Sequence, residues 1–225
     1  MYNTKTTRDL VSGIRSSLKL VSSDDIITDR VIANALMDTN IKFVIQRADK
    51  RQGWASPNLF TSLGCLKMEQ ANLVDCCDYN GDCKISRSVE ELPQIVECKY
   101  NMLVEGVWGV DKKVRFKEAT ANRYANSLNL DLNKPGNFFW IMNNHLYVSS
   151  PDIERVAISA FFFAPIDPDI FSCGTKPKCS PNPLDLPFKT LPAIIDDVVR
   201  QVKKDLMETY GRSIPDQQED DKDKQ

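Results

Sequence analysis

The residues with the greatest chemical potential in this 225-residue chain are its seven cysteines and its single histidine. The cysteines are Cys65, Cys98, a group of Cys76, Cys77 and Cys83, and a pair of Cys173 and Cys179. Structural zinc sites usually join two sulfurs across two to four intervening residues, and neither group has that spacing. An odd number of cysteines without an export signal does not indicate a disulfide framework either. We therefore predict reduced, partly buried thiols, with a zinc site or a Cys173–Cys179 disulfide as the alternatives.

Motifs for nucleophilic or acid–base catalysis are not found. His145 follows the turn-forming pair Asn143-Asn144, and we expect an exposed side chain there. No serine lies in a Gly-x-Ser-x-Gly elbow, and the nine glycines form no phosphate-binding loop. The run from Asp78 to Asp82 is similar to the start of a calcium loop but lacks the glutamate at its expected offset. We expect no catalytic, cofactor-binding or metal-binding residues; the alternative is a metal-dependent or thiol enzyme that uses the cysteine groups.

The bulk composition is that of an ordinary soluble domain. Hydrophobic residues make up 42% and charged residues 27% of the chain. The net charge of −2 has the wrong sign for a protein that mainly binds phosphate backbones. We expect neither sequence-specific nucleic acid nor a membrane as a partner, since no apolar run approaches the roughly 18 to 20 residues that cross a bilayer.

Apolar periodicity predicts two helices in the first fifty residues. The first, Thr7 to Val21, has one apolar face, and the second, about Asp24 to Lys50, has two. On the second helix, Ile32, Leu36 and Phe43 lie on nearly the opposite side from Met37 and Val44. A helix that is apolar on two sides needs two partners, which are either both in its own domain or include a neighbouring subunit. We take the three residues of the first group as the candidate inter-subunit interface: Ile32, Leu36 and Phe43.

A strand-rich region follows the two helices, and we predict about seven strands in it. One hairpin is expected around Gly109 to Lys112 and another at Asn143-Asn144, with a short helix from Ala119 to Leu128 between them. The rings of Phe138 to Trp140 and of Phe161 to Phe163 lie on both faces of their strands. They require either a second layer of the same domain or another chain.

The fold class predicted from these elements is α+β: a helical bundle of N- and C-terminal helices with a mostly antiparallel β domain inserted between them. The predicted units are N-terminal helices at 1–57, the β domain at 58–171, a Pro- and Cys-rich arm at 172–188, a C-terminal helix at 189–212 and a disordered acidic tail at 213–225.

Several short blocks resemble a structural protein of crAss-like bacteriophages. The first block is Ser22-Ser23-Asp24-Asp25-Ile26 with Asp29-Arg30 and Ile32 after it. The second is Asn144 to Ile153, which leads to Ile158 to Pro165. The third is Leu186-Pro187, an apolar helix from Ile194 to Leu206, and the acidic tail. Together the blocks span most of the chain and contain no catalytic signature.

The resemblance implies a head-to-tail neck protein, a portal-adaptor ring that is typically twelvefold and connects the portal to the tail of a podovirus-like phage. The implied partners are further copies of the chain, the portal protein and other neck or tail rings. The implied location is the virion, after assembly in the cytoplasm of the host bacterium. C-terminal segments of such adaptors often reach the portal, which makes Leu206, Tyr210 and Ile214 candidate portal contacts. The alternative within the same class is another virion component, a tail or head-decoration protein.

Overall fold

In the part of the chain that the structure describes, seven strands close into one barrel, and three α-helices pack against one of its ends. The computed structural model describes residues 5–18, 27–50, 56, 58–71, 85–99, 101–120, 136–150, 152–174 and 181–210. The helices are α1 (Thr7–Ser17), α2 (Asp29–Asp49) and α3 (Ile195–Tyr210). The strands are β1 (Thr61–Gln70), β2 (Ser86–Ser88), β3 (Val104–Gly109), β4 (Arg115–Glu118), β5 (Phe138–Met142), β6 (His145–Val148) and β7 (Arg155–Ala160).

The strand order around the barrel is β1-β2-β6-β5-β4-β3-β7, and β7 pairs with β1 to close it. All neighbours are antiparallel except β4 and β5, which are parallel. Alternate side chains of each strand point inward because side chains in a strand have a period of two. The interior is accordingly apolar, and its fully covered residues include Leu63, Leu66, Val107, Leu146, Val156 and Ile158.

Two hairpin turns lie at opposite ends of the barrel. In the β5–β6 turn, Asn143 and Asn144 have φ angles of 51° and 58°, as a two-residue turn with left-handed backbone requires. In the β3–β4 turn, Lys112 has a φ of 57°. Since β5 runs parallel to β4, its C-terminal end lies at the far end of the barrel from the β3–β4 turn. Both hairpins predicted from the sequence are confirmed.

The helices share a hydrophobic core at the barrel end that carries the β5–β6 turn. α1 begins with a capping box in which the Thr6 hydroxyl accepts from the Asp9 amide and the Asp9 carboxylate accepts from the Thr6 amide. These bonds lower the pKa of Asp9. The shared core contains side chains from all three helices and from the segments that enter and leave the strands: Leu10, Ile14, Leu36, Val44, Val198 and Val202 with Phe60, Val96, Leu103 and Phe161.

The predicted fold class, a helical bundle with an inserted antiparallel β domain, is wrong. The strands form a closed barrel with one parallel pair, and the helices pack on it as a separate layer. Closure depends on the β7–β1 pairing and the parallel β4–β5 pairing, which join positions far apart in sequence and leave no local signal. The predicted domain boundaries stay a prediction.

The helix boundaries also differ from the sequence expectation. α2 begins at Asp29, where the Thr28 hydroxyl accepts from the Val31 amide, rather than near Asp24. Because threonine is itself a good cap residue, two start signals compete within a few residues here. The described part of α1 ends at Ser17. Most of the short helix expected from Ala119 to Leu128 and the acidic tail lie outside the described residues.

Candidate assembly surfaces

The two apolar sides of α2 are both covered within one chain. Ile32 and Leu36 expose none of their surface, and they belong to the core that α2 shares with α1, α3 and the barrel end. Phe43 is partly exposed and packs at the margin of the same core. Of the three residues proposed for an inter-subunit interface, Phe43 is the one that offers surface to a neighbour. Its contact with another subunit stays a prediction.

A buried polar link fixes α2 to the chain segment that precedes α3. The Asn40 amide nitrogen donates to the carbonyl oxygen of Lys189 at 2.8 Å, and its amide oxygen accepts from the Thr190 hydroxyl at 2.6 Å. Asn40 and Thr190 are both buried. Burial also lowers the pKa of Lys189. The link therefore sets the position from which α3 starts.

Replacement of Asn40 by alanine should destabilise the chain by about 2 kcal/mol, because a buried hydroxyl and a carbonyl lose their partner. Urea unfolding followed by circular dichroism measures the change. Asn34→Ala, at an exposed position of the same helix, is the matched control and should shift the unfolding free energy by less than about 0.5 kcal/mol. Equal effects of the two substitutions would show that the link contributes nothing.

The segment before α3 is also tied to the N-terminus of α1. The amide of Thr7 donates to the carbonyl of Leu186, and the amide of Phe188 donates to the carbonyl of Lys5. An ion pair joins Arg8 to Asp185 at the surface. The described C-terminal part of the Pro- and Cys-rich arm, from 181 to 188, is therefore held against α1 by backbone pairing.

The three candidate portal contacts fall in different surroundings. Leu206 is buried in the helical core, Tyr210 is partly exposed at its margin, and Ile214 lies outside the described residues. The neighbouring Met207 is 61% exposed and lies on the outer face of α3, beside an ion pair between Lys204 and Glu208. Met207 is not among the contacts predicted from the sequence. Its position does predict exposure, because it lies outside the apolar stripe of the helix that includes Leu206 and Tyr210.

A groove of about 490 Å³ lies where the helical layer meets the barrel. One wall comes from α2, the other from the β5–β6 hairpin, and the segment 92–97 runs along it. The lining consists of nine apolar residues, among them Ile41, Ile45, Met102, Ile141 and Phe163, together with Gln94, Glu97 and Asn144. Phe163 is 43% exposed, and Glu97 is the one charged residue among the described lining residues. The surface that the groove exposes is therefore mixed, slightly more polar than apolar, and it carries a single negative charge.

Two more exposed apolar side chains lie at the same end of the barrel as the groove. Met142 is the last residue of β5 and Val89 follows β2, which ends beside the β5–β6 turn. The backbone holds this region together, since the Leu92 amide donates to the Asn144 carbonyl and the Phe163 amide donates to the Gln94 carbonyl. Of the five large apolar side chains that are exposed in the described part of the chain, three therefore lie at this end of the barrel: Val89, Met142 and Phe163.

The opposite barrel end carries a protruding basic turn. Between β3 and β4, Val110 is 41% exposed and is followed by Asp111, Lys112 and Lys113. The Asp111 carboxylate caps the turn by accepting from the Lys113 amide at 3.1 Å. The turn closes through a bond from the Lys112 amide to the Gly109 carbonyl. It presents one apolar side chain and two lysines to solvent.

The cysteine prediction is wrong for two residues. Cys65 of β1 forms a disulfide with Cys173, which follows the 3-10 helix Pro168–Phe171. This bond replaces the Cys173–Cys179 alternative. Cys98 is free and its thiol lies 2.9 Å from the Asn101 carbonyl oxygen. The group at Cys76, Cys77 and Cys83 and also Cys179 lie outside the described residues.

His145 takes part in the packing of the β2–β6 pair. Its Nδ1 lies 2.9 Å from the Ser88 carbonyl oxygen, and it is half-buried rather than exposed as predicted. The fully buried Ser88 hydroxyl donates to the Glu90 carbonyl and accepts from the Leu146 amide. Both of these hydrogen bonds of the Ser88 hydroxyl are made with backbone groups. Ser88 and His145 therefore hold the end of β2 against the start of β6.

Comparison with known families decides what kind of protein these surfaces belong to. The model of the family described as phage tail ring protein 2 matches residues 9–225. This chain belongs to that family. The resemblance to a crAss-like phage structural protein is thereby confirmed. No curated protein matches the chain.

Membership of a ring family relates the exposed surfaces to assembly. A ring protein of a phage tail associates with copies of itself, and its place is the virion. Across the parts of the chain that the structure describes, no cluster of three or more potential metal ligands occurs, and no helix is both long and apolar enough to span a bilayer. The candidate assembly surfaces of this ring protein are the groove, the basic turn and the outer face of α3.

Proposed function

We propose that this chain is a non-enzymatic structural subunit of a twelve-copy ring that connects the portal to the tail of a podovirus-like phage. The match of residues 9–225 to a phage tail ring family carries the proposal. The sequence resemblance to neck adaptors supports the copy number and the position next to the portal. The groove and the exposed side chains of Phe163, Met142 and Val89 at the same end of the barrel support protein contacts, because apolar side chains that are exposed together mark interaction surfaces.

In this arrangement the C-terminal end of α3 faces the portal. Tyr210 at the margin of the helical core and the exposed Met207 supply the contact surface, with Ile214 beyond the helix as a further contact. Leu206 acts from inside the core and holds α3 in place. The barrel contacts neighbouring subunits and other neck or tail rings. Assembly takes place in the bacterial cytoplasm.

Cryo-electron microscopy of intact virions tests the position and the copy number together. We expect twelvefold density for this barrel between the portal and the tail, with α3 nearest the portal. Density at the capsid lattice, the head surface or the tail fibres would reject the neck position. A ring of another symmetry would reject the twelve copies while it leaves the ring itself in place.

A further inference from the structure

The groove at the helix–barrel junction has the features of an acceptor for a protruding segment. Its mixed lining contains several apolar side chains, among them Phe163, which exposes 43% of its surface. Glu97 lies in the lining with no ion-pair partner among the described residues. An occupant that fits must therefore offer an apolar side chain together with a positive charge.

The β3–β4 turn offers that combination. Val110 projects from the turn with 41% of its surface exposed, and Lys112 and Lys113 follow it directly. Lys113 lies 3.8 Å from Asp111 across an exposed pair, which holds it only weakly. The turn backbone is fixed by its internal hydrogen bonds, so little conformational entropy is lost when the turn is inserted.

The turn cannot reach the groove of its own chain. The parallel β4–β5 pairing places the β3–β4 turn at one end of the barrel and the groove, beside the β5–β6 turn, at the other. Two unlike, complementary surfaces on one molecule make a head-to-tail contact, which closes into a ring when the rotation between copies allows it. A second copy of the chain is thus the occupant that fits both the chemistry and the family.

We infer that the β3–β4 turn of one subunit inserts into the helix–barrel groove of the next, with Val110 against Phe163 and the turn lysines near Glu97. The inference rests on the proposed ring function and specifies the contact that builds the ring. The contact is heterologous, so every subunit uses its groove on one side and its turn on the other. The charge pair favours correct register, while the apolar contact supplies the affinity.

Mixing of two differently damaged subunits tests this head-to-tail contact. The full-length variants are Phe163→Asp, which damages the groove, and Val110→Asp, which damages the turn. Native mass spectrometry and light scattering follow the assembly of each. Each variant alone should associate at least about 30-fold more weakly than the wild type, as for loss of an interface hot spot. An equimolar mixture should give a 1:1 dimer, because each variant keeps one intact surface. Ser12→Asp adds the same charge at an exposed position of α1 and should assemble as the wild type does.

A charge swap provides a second measurement at the same contact. Glu97→Lys and the double variant Lys112→Glu/Lys113→Glu should each weaken assembly alone and restore part of it when mixed. If the wild type forms rings and the groove and turn variants form them equally well, the inferred contact is overturned while the ring function stands. If the wild type stays monomeric and the mixture gives no dimer, the contact is overturned as well, and the ring function then rests on the virion density alone.

Discussion

Replacement of Leu36 by alanine should lower the unfolding free energy of the isolated chain by about 2 to 5 kcal/mol. Leu36 exposes none of its surface and lies in the core that α2 shares with α1, α3 and the barrel end. Loss of its side chain removes apolar contacts and leaves a cavity that the three helices cannot close, because α2 is held on both sides. Chemical denaturation of the purified protein measures the change.

The same experiment separates an internal core from an interface between subunits. Phe43→Ala is the comparison, since Phe43 is partly exposed at the margin of the same core. We expect Phe43→Ala to cost less stability than Leu36→Ala. If Leu36→Ala leaves unfolding unchanged and instead weakens association of the chains, Leu36 lies at a subunit contact and the helical layer is completed by a neighbour.

The positions of the strands were readable from the sequence, but their closure into a barrel was not. Alternating apolar residues and the Asn143-Asn144 pair are local signals, and they predicted the β5–β6 hairpin correctly. The barrel depends on partners such as Thr61 and Ala160, which pair across about a hundred residues. The hydrophobic pattern specifies which face of a strand is buried but not which strand lies beside it.

The second helix illustrates the same limit at the level of packing. Its two apolar sides correctly predicted two partners, yet the pattern could not distinguish a neighbouring subunit from the chain's own barrel. The structure supplies the missing partner, the barrel end that carries Phe60, Val96 and Phe161. A helix wedged between two layers of one chain and a helix at a subunit interface have the same periodicity, because burial by either partner favours the same residues.

The candidate assembly surfaces depend on tertiary structure even more strongly. The groove is formed by residues from α2, the segment 92–97, β5 and the end of β7, and no single sequence window contains it. Phe163 is the last of three consecutive phenylalanines, and the sequence predicts that this run carries more apolar surface than one face of a strand can bury. Phe161 and Phe162 proved to be buried, in the helical core and the barrel interior respectively. Phe163 is the ring that remains exposed.

Removal of the Cys65–Cys173 disulfide should lower the unfolding free energy of the oxidised protein by about 5 kcal/mol, since the bond joins residues with a sequence separation of 108 in the unfolded chain. The bond joins β1 to the segment after the 3-10 helix Pro168–Phe171, whose Phe171 packs into the barrel interior. Cys173 is exposed and Cys65 is partly exposed, so reductants can reach the bond. Two thiols form a disulfide only when an oxidant removes two electrons, so we expect the bond under oxidising conditions and the free thiols under reducing ones.

Unfolding of the wild type with and without reductant, beside Cys65→Ser and Cys173→Ser, measures this contribution. The two single variants should show the same stability as each other, and adding the second substitution should change it little, because either one already removes the bond. Cys98→Ser is the matched control, because the Cys98 thiol is free, and it should keep the full sensitivity to reductant.

A non-reducing peptide map that shows Cys65 and Cys173 as free thiols in protein from released virions would contradict the bond. Equal stability of Cys65→Ser and the wild type under oxidising conditions would contradict its contribution. Confirmation would mean that the barrel becomes harder to unfold under oxidising conditions, because the loop between β1 and the segment that follows β7 is then closed covalently.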